Sequence, residues 1–154
     1  MTESVATEST ATDLDVVGSH SVSADIEALK NGSVAVYSSF KADSFEDRIS
    51  IVKAMANSKP LDEFLGKTIN LRNFIVQSID MADEKTGEMR EAPRVILIDD
   101  QGNSYHAISH GIMSALTNVV AVVGEPSTWP QAIAVKPTQE KTRAGFRVFT
   151  LRYA

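Results

Sequence analysis

Residues 67–80, KTINLRNFIVQSID, constrain the fold more than any other stretch of the chain. The run is rich in β-branched residues and reads as a long strand, yet it breaks the alternation a half-buried strand should show. Ile69, Leu71, Ile75 and Ile79 share one parity, whereas Phe74 and Val76 share the other. A strand that changes its buried face midway is either covered on both sides or bent by a bulge.

The segments around it set the order of elements. Upstream, ADIEALKNG reads as a short helix closed by Asn31-Gly32, and residues 33–40 read as a strand. Residues 44–57 form a helix with Ser44 as N-cap and Glu46 and Asp47 in the first turn; Phe45, Ile49, Val52 and Met55 or Ala56 are its expected apolar face. Pro60 opens a short helical turn that Gly66 closes. After the long strand, residues 81–92 read as a charged loop turning at Lys85-Thr86-Gly87, and residues 93–99 as a second strand. Asp100 to Asn103 make a hairpin turn into a short third strand, 104–108. Ser109 caps a helix over 110–123 whose stripe is Ile112, Leu116, Val119, Val120 and Val123, and Gly124 ends it. Residues 132–137 and 145–154 are the fourth and fifth strands, with a basic loop between them.

A long bent strand, a hairpin, a short strand, a helix and a closing hairpin describe a mainly β chain: a five-stranded Greek-key OB-fold barrel with a helix between strands 3 and 4. The domain reading is a disordered acidic tail over 1–22, an N-terminal extension with short helices over 23–65, and the OB-fold domain over 66–154. The tail is rich in Ser, Thr and acids and too poor in apolar groups to offset its chain entropy.

Composition narrows function by exclusion. The 154 residues are 43% hydrophobic and 23% charged, ordinary for a soluble globular protein. No apolar run spans a bilayer, and the N-terminus lacks a secretory signal, so a cytoplasmic protein without a membrane partner is expected. There is no cysteine, which rules out disulfides, thiol catalysis and Cys-ligated zinc. Net charge is −5, unevenly placed. Residues 1–25 carry five acids and no base, whereas residues 126–154 carry Lys136, Lys141, Arg143, Arg147 and Arg152 against Glu140 alone. A basic end on an acidic chain suggests a local surface for a polyanion.

Three stretches, GKTINLRNFIV, DDQGNSYHAISHGI and GFRVFTLRY, resemble the single-stranded DNA-binding proteins of bacteriophages and phage-like elements. The resemblance covers residues 66–154 and leaves 24–65 outside it. It implies an OB-fold protein that coats exposed single strands during viral DNA replication or recombination, in the host cytoplasm, without catalysis or cofactor. The cellular bacterial version of this class ends in a Gly-rich linker with an acidic tip that recruits partners. Here the chain stops inside a strand and the acidic segment is at the other end, so replication or recombination proteins are expected at the N-terminal tail. Homo-oligomers are compatible with this reading.

Binding a single strand without sequence preference needs cations for phosphates and flat side chains for bases. The candidates are Arg72 and Phe74 on the first strand, Arg94 on the second, Tyr105 and His106 on the third, and Lys136, Lys141, Arg143, Phe146 and Arg147 near the end. Each has a plainer reading: strand aromatics usually lie in the core, Trp129 included, and scattered cations usually form a solvated face. The density of cations in the last segment favours function.

Enzymatic readings are weaker. His106 and His110 straddle a strand-helix boundary, so their four-residue spacing gives no shared face and no metal is expected. Asp99 and Asp100 precede Gly102, the composition of a turn. Ser109 sits in a helix cap, not a nucleophile elbow. The alternative class is a protein-interaction or virion-associated OB-like module that does not bind nucleic acid.

Overall fold

The structure, a computed structural model, describes residues 36–40, 42–83 and 85–153. The expected tail over 1–22 and the helix expected near 24–32 lie outside the described residues. In chain order the elements are β1 (Val36–Ser38), α1 (Phe45–Ala56), β2 (Lys59–Pro60), a 3-10 turn (Leu61–Phe64), β3 (Ile69–Ala82), β4 (Met89–Asp99), β5 (Ser104–Ile108), α2 (His110–Val123), a second 3-10 turn (Pro126–Thr128), β6 (Ile133–Lys141) and β7 (Arg147–Tyr153). Among the described residues the architecture is mostly β: one curled, half-barrel sheet with two helices, consistent with an OB-like fold. Its strands run β2-β5-β4-β3-β6-β7, and β1 pairs with β3 off that path. The described sheet holds seven strands where the expected barrel had five; β1 falls in the strand expected over 33–40, and the path ends at β2 and β7.

The broken alternation of β3 has both of the causes considered. The ladder with β4 slips between Leu71 and Asn73, so Arg72 is the extra residue of a bulge. Before the slip Ile69 and Leu71 face the main core; after it Phe74 and Val76 do. The opposite face is also covered. Ile75, Ile96 and Ile98 form a second cluster, packed under Val36, Phe40, Ile51, Ala54 and Met55. The bulge also lets β3 divide one edge between two partners, β6 at residues 69–71 and β1 at 75–77.

The main core fills the other side of the sheet. Helix α2 supplies Ile112, Met113, Leu116, Val119 and Val120, while Val123 is exposed. Ser109 caps α2 by accepting from the Ile112 amide at 3.1 Å. Trp129 is buried here, its indole donating to the Gly124 carbonyl at 2.9 Å.

Three expectations are corrected. Residues 81–92 are not mainly loop, because the β3–β4 ladder continues to Ala82↔Met89. Pro93 sits inside β4 rather than at its start. Its carbonyl accepts from the Ser109 amide at 3.2 Å, and a strand residue's N–H and C=O point the same way. The missing donor therefore faces the side where the β4–β5 ladder has already ended at Arg94↔Ile108. Helix α1 also turns a different face inward from the one expected. Phe45 and Val52 are exposed, and Ile51, Ala54 and Met55 meet the sheet. The Ser44 capping box that starts α1 does form.

Residues 36–65 share the sheet and core of the rest. Besides β1 and β2 they supply Tyr37 and Leu61 to the main cluster.

Candidate nucleic-acid interface

The β6–β7 hairpin carries five exposed cations, Lys136, Lys141, Arg143, Arg147 and Arg152. Its tip, 142–146, is tight: the Thr142 amide donates to the Phe146 carbonyl at 2.8 Å, and the Gly145 amide to the Thr142 carbonyl at 2.9 Å. Gly145 takes φ 87°, a backbone region open to glycine at little cost. This turn leaves Arg143 exposed and Phe146 63% exposed.

The register of the hairpin is electrostatically unusual. Lys141 lies directly across from Arg147, and Lys136 across from Arg152. Like charges on directly opposite strand positions destabilise a sheet. The hairpin's single carboxylate, Glu140, is engaged with Arg152 at 2.6 Å. Arg147 reaches only the neutral Gln139 Oε1, at 3.4 Å. Among the described residues, Lys136, Lys141, Arg143 and Arg147 have no acidic partner. Tyr153, 53% exposed, adds an aromatic ring near the base of the hairpin.

The other candidates lie elsewhere and are held by the fold. Phe74 has no exposed surface; the shift in register turned its ring into the core against Tyr37, so it offers no face to a base. Tyr105 is 8% exposed, set edge-on to Phe64, with its hydroxyl donating to Asp99 Oδ2 at 3.1 Å. Burial, then the nearby Asp99 carboxylate, push its phenol above the ordinary tyrosine range. Arg72, from the bulge, donates to the carbonyls of Pro126 at 2.7 Å and Trp129 at 3.4 Å. Arg94 donates to the Met55 carbonyl and to Ser58 Oγ, both at 3.3 Å, and Ser58 Oγ in turn bonds to His106 Nδ1 at 2.8 Å. Arg94 and His106 therefore tie the end of α1 to the sheet.

Asp99 organises the polar turn. Its Oδ1 accepts from the amides of Gln101 and Asn103, and its Oδ2 from Asn103 Nδ2 and the Tyr105 hydroxyl. Four donors fill the carboxylate, which accounts for its place next to Gly102.

A basic strand pair with an exposed ring at its tip, on an OB-like sheet, is the arrangement a polyanionic single strand requires. A family model described as Phage Single-stranded DNA-binding protein, of the Phi29 type, matches residues 30–154. The chain belongs to this phage single-stranded DNA-binding family. The match takes in β1, α1 and β2 as well as the strands that follow, so the earlier resemblance, drawn over 66–154, was too short. The family is defined by binding rather than by a reaction. No curated protein and no solved structure matches the chain significantly.

Sequence reasoning missed a groove beside α1 that contains Lys53 and Lys59; its residues come from distant segments, so no local signal reveals it.

Proposed function

We propose that this protein coats exposed single strands during phage DNA replication or recombination, in the host cytoplasm, without sequence preference. Phosphate attraction and base stacking supply the affinity. In this reading β3 to β7 are the five strands of a Greek-key OB barrel, and β1 and β2 are additions to it. The strand wraps the hairpin: Lys141 and Arg147 meet its backbone on one face, Lys136 on the other and Arg143 at the tip, and Phe146, with Tyr153, stacks on bases. Arg72, Arg94 and His106 act indirectly, by fixing the bulge and α1. The acidic residues 1–25 are left for replication or recombination proteins.

The observation that carries this reading is the pair of like-charged cross-strand couples in the hairpin. The Lys141 and Arg147 couple has no carboxylate at all, and the Lys136 couple has one only on Arg152, so the hairpin gains stability when a polyanion arrives. The test is anisotropy of labelled oligo-dT titrated with the protein at low and high salt. Binding that weakens steeply with salt is expected. No anisotropy change at low salt, together with nuclease-resistant capture of a protein partner, would favour an interaction module instead.

A further inference from the structure

A groove of about 640 Å³ opens between α1 and the sheet, beside the second core cluster. That volume is in the range that accepts a small molecule. Phe40 and Ile98 give it apolar surface, while Lys53 of α1 and Lys59 of β2 give it charge. Both lysines are exposed and, among the described residues, have no acidic partner. Arg72 adds a third positive charge, since carbonyls hold but do not neutralise it.

The amides of the groove are half used, in complementary ways. Asn73 accepts from Ser39 Oγ at 3.1 Å through Oδ1, which leaves its amide hydrogens for a further acceptor. Asn103 donates to Asp99 at 3.1 Å through Nδ2, which leaves its carbonyl oxygen for a further donor. The lining also holds Asp99, whose carboxylate four donors already fill, and Asp100, so three cations stand against two acids. A donor, an acceptor, an apolar wall and lysines without a carboxylate partner are the functional groups that recognise a base edge, a base face and a phosphate. Arg72 of the groove directly follows Leu71, which pairs with Ile133 at the start of β6, the strand that runs on to Lys136 and Lys141.

From this arrangement we infer that the groove is a nucleotide site. It holds one nucleotide of the bound strand, with phosphate toward Lys53 and Lys59 and base edge toward Asn73 and Asn103. The inference rests on the single-strand reading and gives the strand a path beyond the hairpin.

The experiment is a ¹H–¹⁵N NMR titration of the full chain with dAMP, and separately with inorganic phosphate. The expected result is dAMP shifts at residues 53–59, 72–73 and 100–103. In K53E/K59E the same shifts should require about tenfold more dAMP, the scale of lost charge-assisted contacts. The spectrum of each variant reports its folding. Absence of dAMP shifts in those segments overturns the site, as do identical shifts from inorganic phosphate alone. The two proposals fail separately. Oligo-dT binding without dAMP shifts in the groove leaves the hairpin and removes the site. Groove shifts without oligo-dT binding keep a mononucleotide site and remove the coating role.

Discussion

Replacing Arg143 and Arg147 with alanine removes two of the four hairpin cations that no carboxylate neutralises. For a single strand, each neutralised phosphate contributes about −0.7 to the slope of log K against log salt. Four contacts give a slope of about −2.8, so affinity should fall about fifty-fold between roughly 50 and 200 mM salt. Two contacts give about −1.4 and a loss of about sevenfold over the same range. Arg152 is left out of the count because Glu140 already holds it. Both mutated side chains are exposed and Arg147 faces Lys141, so the unfolding midpoint should hold or rise slightly. The assay is anisotropy of a labelled oligo-dT at four or more salt concentrations. Equal slopes for wild type and R143A/R147A, with both folded, would refute the hairpin as the phosphate track.

Three further outcomes are expected. Phe146→Ala should weaken oligo-dT binding by about 1–3 kcal/mol at unchanged stability, whereas Phe74→Ala should cost about 3–5 kcal/mol of stability; anisotropy and urea unfolding separate them. Gly111→Ala should cost about 1–3 kcal/mol in urea unfolding, because a Cβ there would overlap the Phe149 backbone carbonyl, which cannot move aside as a side chain end would. Tyr105 has a raised pKa, so its contribution is complete below the ordinary tyrosine range, about pH 10, and is lost as pH rises through the raised value. Tyr105→Phe should therefore cost about 1 kcal/mol near neutrality, through the lost bond to Asp99, and this difference should shrink in unfolding curves taken above about pH 10.

What could be read in advance followed from where burial leaves a periodic mark. Helix α2 was legible because one side faces the core for its whole length, between a Ser cap and a closing Gly. The bend of β3 was legible because a shift of one residue moves apolar side chains to the other parity. The outer arms of β3 and β4 were not, because Asp80 to Ala82 and Met89 to Glu91 are exposed on both faces and carry no alternation. The face of α1 was misjudged because none of its residues is fully buried, so its stripe is faint. In the candidate site, charge density pointed to the hairpin correctly as an exposed basic surface. It could not sort Phe74 from Phe146. That distinction depends on the phase set by the Arg72 bulge and on whether a ring lies within the sheet or at a tip. Arg94 and His106 were each expected at the binding surface, but the end of α1, 39 residues from Arg94 at Met55, holds Arg94, and Ser58 holds His106.

Among the described residues β7 is the last strand of the sheet's path, so its outer edge, apart from the Phe149 carbonyl that faces Gly111 of α2, offers peptide groups to any strand that comes alongside. Its residues Arg147 and Arg152 project from opposite faces, because their positions differ by an odd number. Two such edges brought together would set guanidinium groups against each other on both sides of the new seam. Repulsion of this kind is how exposed edges avoid fusing into a larger sheet. Variants that neutralise these arginines should therefore aggregate more readily, and those at Arg147 should also bind less. The charge that draws in a DNA strand also keeps one molecule from adding itself to the next.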